Sequence, residues 1–159
     1  MPRDNMSDIT ISDLRDVPGF ADIMTDRLWT AWWRDEGRMS RDELGGMIGD
    51  AITSTGIPLA LIAHRGDVFC GTVSVIEDDL PIRPQYGPWL AALWVEAHAR
   101  RQGIAERLID TARAKAACLT DVLHLYCTPD NTPFYERRGW LRVETDVGGV
   151  NIFRRATGD

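Results

Sequence analysis

The sequence predicts an α/β fold in a single domain, and three observations carry that expectation. Short apolar or alternating runs bounded by Gly and Pro read as strands. Longer segments place apolar residues at helical spacing. Their order along the chain is strand, two helices, three strands, helix, strand, helix, two strands. Such an order packs as a mixed sheet with helices on both faces, and 159 residues suit one domain of this kind rather than two.

Residues 9–14 alternate, with Thr10 and Ser12 beside Ile9 and Ile11, and form the first expected strand; the first six residues are expected to fray. Pro18 sits where a helix can start, and Phe20, Ile23, Met24, Leu28 and Trp32 then fall at helical spacing. Ser40 followed by Glu43 has the spacing of a capping box for a second helix to about Thr53. Gly45, Gly46 and Gly49 point to close packing or a bend there. After the Gly56–Pro58 break, residues 59–63 and 68–76 are apolar runs around an Arg65-Gly66-Asp67 turn. The acidic, proline-rich stretch 77–87 is expected as loop, and PWLAALWV (88–95) as a buried strand. Ile104, Leu108, Ile109 and Ala112 mark the next helix as amphipathic. A strand at 122–127, a short helix near 133–137 and strands near 141–147 and 150–154 around Gly148-Gly149 complete the chain.

A composition of 44% hydrophobic and 26% charged residues is that of a globular protein with a sizeable core. No apolar run approaches the roughly 20 residues of a membrane span, and MPRDNMSDIT lacks a secretory signal, so a cytoplasmic location is expected. Lys and Arg number 18 against 24 Asp and Glu, and a net charge of −6 opposes nucleic-acid binding. That balance would suit a cationic amine partner and is equally an ordinary solubility feature. Cys70, Cys118 and Cys127 form no CxxC pair and are expected as buried or half-buried free thiols. With His64, His98 and His124 scattered as well, no metal site is expected.

The segment WVEAHARRQGIAERL carries the first chemistry. An apolar strand ends at Val95, and a glycine-bearing turn opens a helix whose first N–H groups and dipole attract an anion, commonly phosphate. Gly103 lets the backbone approach it, Ala105 stays small, and Arg100 and Arg101 add charge; an ordinary turn with solvated arginines has the same letters. Neither GxxxxGK[ST] nor GxGxxG occurs. About thirty residues on comes LHLYCTPDNTPFYERRGW.

These two segments resemble the GNAT superfamily of acetyl-CoA-dependent N-acetyltransferases. Arg100-Arg101-Gln102-Gly103-Ile104-Ala105 matches its [RQ]xxGx[GA] pattern, with Ala105 where many members have a second Gly. Asn131, Phe134, Tyr135, Gly139 and Trp140 match its second motif at the expected separation. The resemblance, strongest over residues 59–154, implies a mixed, mostly antiparallel sheet of about seven strands flanked by about four helices. It implies that backbone amides of Gln102, Gly103, Ile104 and Ala105 hold the CoA pyrophosphate. Leu93, Trp94 and Val95 would pair with the pantetheine arm as an added strand, the Val95 amide would polarise the thioester, and Asn131 would bond the arm. Tyr135 would protonate the departing thiolate, a role within reach of a phenol of pKa near 10. Its plain alternative is a packed core tyrosine; that of Asn131 is a helix cap.

A base must also deprotonate the amine. Glu77, Asp78, Asp79 and Glu96 are the candidates; Glu77 is taken first, although the same letters make a solvated acidic loop. Trp29, Trp32 and Trp33 share a helical face by spacing and would pack in the core. Alternatively Trp32 or Trp33 lines an acceptor groove with Asp78. The acceptor is expected to be a small-molecule or peptide amine, and apolar residues near 81–89 would allow a homodimer. A non-catalytic acyl-CoA-binding sensor on the same fold is the rival expectation.

Overall fold

A computed structural model describes residues 8–158, so the expected fraying of the first six residues lies outside the described part. Seven strands form one sheet in the order β1-β2-β3-β4-β5-β7-β6. They are β1 (Thr10–Asp13), β2 (Leu59–Arg65), β3 (Val68–Ile76), β4 (Trp89–Val95), β5 (Val122–Cys127), β6 (Leu141–Val147) and β7 (Val150–Ala156). Every pairing is antiparallel except β4 with β5. The helices are α1 (Ala21–Leu28), α2 (Arg41–Thr53), α3 (Ile104–Ala116) and α4 (Thr132–Glu136), and the expected α/β architecture is observed.

The strand period sorts side chains onto two faces. Leu59, Leu61 and Ala63 of β2 join Leu108, Ile109 and Ala112 of α3 on one face, while Ala60 and Ile62 meet Met24, Leu28, Leu44 and Ile48 of α1 and α2 on the other. Ser40 caps α2: its hydroxyl accepts the Glu43 N–H, and the Glu43 carboxylate accepts the Ser40 N–H. Such a cap is worth about 1 kcal/mol. Gly45, Gly46 and Gly49 pack closely against nothing; a Cβ at Gly45 would meet Thr25 only at 3.7 Å, and at the other two it would meet open space.

The expected shared face of three tryptophans forms in part: Trp29 and Trp33 both pack against the α1–α2 cluster, and Trp32 meets Trp33 edge-on but is not buried. Residues 29–33 wind as a single π-helical stretch, closed by Arg34 N–H donating to the Trp29 carbonyl at 2.8 Å, and the wider turn leaves Trp32 off the buried face. Trp29 donates its ring N–H to the Met39 carbonyl, whereas Trp32 is 40% exposed and meets Trp94 edge-on. Trp33 packs half-buried against the α1–α2 cluster.

The segment 77–88 crosses the sheet face that α1 and α2 leave uncovered. Arg83 forms a two-pronged ion pair with Glu144 of β6, and the Tyr86 hydroxyl donates to the same carboxylate at 2.6 Å. Tyr86 stacks on His124, and Trp89 is fully buried beneath, so of the apolar residues expected to be exposed here Ile82 is and Trp89 is not. At Gly87 a Cβ would stand 2.6 Å from the Glu77 carbonyl, so only glycine lets the two ends of the segment meet. Cys70 and Cys127 are buried as expected, but Cys118 is exposed.

Candidate active site

The site begins with a defect in the sheet. β4 and β5 are parallel neighbours, yet they pair only at Trp89 and His124, and beyond that point they part. A bulge opposite Val73 reinforces this: Thr72 faces Trp94 and Ser74 faces Ala91, so Ala92 and Leu93 share one partner, with Ala92 in a left-handed conformation (φ 55°). At Gly71 a Cβ would come within 2.8 Å of the Trp94 carbonyl, so its absence allows the close β3–β4 approach past the bulge. Glu96 donates its N–H to the Cys70 carbonyl. By strand alternation Val95, one residue earlier, turns its N–H and C=O away from β3 and into the split.

A cavity of about 450 Å³ fills the split on the α3 face. Leu93, Trp94 and Val95 form one wall, Arg100, Arg101, Gly103, Ile104 and Ala105 the end, and Asn131 and Tyr135 the far side. Ten expected cofactor-site residues thus surround one space. Gln102 does not line it; its side-chain oxygen is taken by the Arg65 guanidinium at 2.6 Å. Phe134 of the second motif also lines it, as do Ala99 and Glu106, which were not singled out although they lie within or beside the first motif.

Gly103 precedes α3 with φ 78°, and Arg101 also takes a left-handed turn at φ 65°. Together they fold the chain back so that the free N–H groups of the first α3 turn open on the cavity, the backbone geometry a pyrophosphate requires. Arg100 spans the cavity end: its Nε donates to the Val95 carbonyl at 2.9 Å and its guanidinium lies 5.2 Å from the Trp94 ring centre. The strand-edge groups of Val95, the helix start and two arginines therefore fit the arm and phosphates of CoA.

Tyr135 lies on α4 with its ring against Phe134, Trp140 and Phe153. Burial first, and the nearby Cys127 second, push its phenol up to about 12, so it stays protonated at neutral pH. Gly139 (φ 86°) ends the motif where a Cβ would stand 3.1 Å from the Arg155 guanidinium, and the return lets Trp140 donate its N–H to the Tyr135 carbonyl. Asn131 precedes α4 but its side chain caps nothing there; its amide only approaches the Thr128 hydroxyl at 3.4 Å.

The four candidate carboxylates separate. Glu96, one of the expected candidate bases, is buried: one oxygen takes the Arg27 Nε and the other the Trp94 ring N–H, each at 2.8 Å. Glu77 and Asp78 are exposed. Asp79 is half-buried, and loss of solvent pushes its carboxyl up to about 6. Neither the carboxylates of 77–79 nor Trp32 and Trp33 line the cavity. Among the described residues no group of three metal-ligating side chains comes together.

A sheet parted over a helix N-terminus, with strand-edge groups and a half-buried phenol around the gap, defines a transferase that works on a CoA thioester. Residues 58–141, over half of the chain, match the family described as "Acetyltransferase (GNAT) domain". The chain belongs to this GNAT acetyltransferase family, and acetyl-CoA is its acyl donor. No curated protein matches it in sequence. Among solved structures it is similar to aminoglycoside 6'-acetyltransferase type Ii, with 24% identity, 94% of this chain and 98% of that one covered, and a TM-score of 0.70. It is also similar to an aminoglycoside 6'-N-acetyltransferase complexed with coenzyme A, with 18% identity, 94% and 98% covered and a TM-score of 0.72. Spermidine N-acetyltransferase from Vibrio cholerae is similar at 18% identity, with 96% and 95% covered and a TM-score of 0.66. At these identities the likeness shows the fold alone. No helix among the described residues is long and apolar enough to cross a membrane.

Proposed function

We propose that the protein moves an acetyl group from acetyl-CoA directly to the amine of a cationic small molecule, with Tyr135 as general acid. The observation that carries this is the half-buried Tyr135 phenol, protonated at neutral pH, on the wall of the same cavity that Val95 and the α3 N-terminus form. A binding module needs no proton donor beside the thioester sulfur. The thioester supplies an activated acyl group. The Val95 N–H, turned into the split, donates to its carbonyl oxygen as negative charge develops there. As the C–N bond forms and the C–S bond breaks, Tyr135 gives its proton to the sulfur. Backbone amides from Gly103 to Ala105, with Arg100 and Arg101, hold the phosphates, and Asn131 meets the arm.

The acceptor approaches from the sheet face opposite α3. Trp32, edge-on to Trp94, and Asp78 border this approach, and the proton of the amine passes to a carboxylate of the loop after β3, where Glu77, Asp78 and Asp79 follow one another. The net charge of −6 favours a cationic acceptor, and two of the similar structures are acetyltransferases of amines of that kind, an aminoglycoside 6'-acetyltransferase and a spermidine N-acetyltransferase.

Isothermal titration with acetyl-CoA, with NADH as comparator, tests the donor, and an amine screen read by thiol release tests the transfer. Tyr135→Phe is expected to keep acetyl-CoA affinity and to lose at least about 100-fold in kcat. Undiminished turnover would remove the acid role. Binding without turnover of any amine by the wild type would favour an acyl-CoA sensor instead.

A further inference from the structure

An amine arrives as an ammonium ion and must lose a proton before it attacks. The group that takes the proton has to lie on the acceptor side of the split, be reachable, and be uncommitted to a structural partner. Glu96 fails the last requirement, since both its oxygens are held. Glu77 and Asp78 point into solvent, where water already satisfies them. Asp79 differs from all three. It is half-buried, and among the described residues its carboxylate has neither a hydrogen bond nor an ion pair. Glu144, on the same side of the sheet, shows the ordinary arrangement, with three donors from Arg83 and Tyr86. A carboxylate withdrawn from water without a partner destabilises a fold, and such groups concentrate where a ligand supplies the missing charge.

What Asp79 faces identifies that ligand's position. The charge of Asp79 acts on the Tyr126 phenol, which is itself half-buried and has no hydrogen-bond partner among the described residues. Tyr126 is two residues past His124, the last point where β4 and β5 pair, so it stands where the split opens. Alternation puts Leu125 and Cys127 with the α3 face and Tyr126 with Trp89, Leu80 and Tyr86 on the other. Tyr135 packs with the α3 face. Leu80, next to Asp79, packs in the same cluster as Tyr126, so two oxygens without a protein partner, a carboxylate and a phenol, lie on the face of the split away from Tyr135.

We propose that Asp79 binds the ammonium of a primary alkylamine and takes its proton, while the Tyr126 hydroxyl orients the nitrogen; this rests on the acetyltransferase reading. The N–H proton moves to an Asp79 oxygen, and the nitrogen lone pair forms the C–N bond to the acetyl carbon. The C–S electron pair leaves on sulfur, which takes the Tyr135 proton. The attacking nitrogen gives its second N–H proton through solvent to the Tyr135 phenolate, and solvent removes the first proton from Asp79. The other charged or titratable groups around this place are Arg83 and Tyr86 of the same loop, His124 of β5, Glu144 of β6 and Arg154 of β7. Burial lowers His124, and its Nδ1 accepts the Gly87 N–H, both of which favour the neutral ring.

The test measures thiol release from acetyl-CoA with n-butylamine, spermidine and kanamycin across pH, in wild type, Asp79→Asn, Tyr126→Phe and Glu77→Gln. Wild-type kcat/KM should rise through about pH 6, where Asp79 loses its proton. Asp79→Asn should lose about 100-fold and that limb together, with acetyl-CoA affinity unchanged; Tyr126→Phe should raise KM more than it lowers kcat. A loss confined to Glu77→Gln, or a limb that survives in Asp79→Asn, overturns the assignment. If the wild type turns over none of these amines, carboxyl NMR of the acetyl-CoA complex decides: n-butylammonium must shift the Asp79 resonance, and no shift overturns it. Failure of acetyl-CoA itself to bind would instead sink the transferase reading.

Discussion

The two faces of the split are built by different means. On the α3 face the groups aimed at the donor are mostly backbone: the Val95 amide and carbonyl, and the N–H groups opened by Gly103. On the opposite face the groups are side chains from distant segments, with Asp79 on a loop, Tyr126 on β5 and Trp32 on a π-helical turn. Backbone recognition tolerates changes of side chain and demands only a conformation. Side-chain recognition can be altered one residue at a time. Under the proposed assignment the donor is fixed by the fold, while acceptor choice rests on a few residues that can vary around it.

The difference can be broken most sharply at Asp79 through stability. Its carboxyl stands at about 6 in the folded chain against an ordinary 3.8, because burial disfavours the charge. Between those values the folded chain holds the proton more tightly than the unfolded one, so stability falls as pH rises from about 4 to 6 and then levels off. Asp79→Asn removes this penalty. Denaturant unfolding should show the variant more stable than wild type by at most about 3 kcal/mol above pH 7, and equal to it below pH 4. An acceptor-side residue whose removal stabilises the fold while activity falls would mark that face as the one where stability is given up for function.

On the donor face the expected effect is conformational. Gly103→Val places a β-branched side chain at φ 78°, which costs roughly 1–2 kcal/mol, and acetyl-CoA affinity should fall about 10-fold by titration calorimetry. Unchanged affinity would mean that backbone geometry at the helix start does not hold the phosphates. The smallest change is expected for Arg100→Ala. An exposed cation contributes little at physiological salt, so CoA binding should weaken no more than about 5-fold, with the deficit growing as salt is lowered.

The contrast also explains what the sequence made legible. Strand and helix order, the Ser40 capping box and the donor cavity follow from contiguous patterns, because each is specified within a few residues. Asp79 could not be told from Glu77 and Asp78, since the path of a loop decides which of three successive carboxylates loses its water. Glu96 was misplaced because its partner Arg27 lies 69 residues away. Trp32 alone was misplaced, because one widened turn shifts its angular position and periodicity reads every turn as an ordinary α turn.

The hold of Glu144 on Arg83 and Tyr86 has a consequence for how the protein meets its surroundings. That clasp fastens the segment bearing Asp79 to the far edge of the sheet, and both members of its ion pair are partly open to water. Its donors keep Glu144 ionised below the usual carboxylate range, so the clasp persists through mild acid. Dissolved salt acts on it more readily, because mobile ions screen an exposed pair and leave buried packing untouched. Ionic strength should therefore loosen the acceptor side while the donor cavity keeps its shape, making amine affinity a property of the medium as much as of the chain.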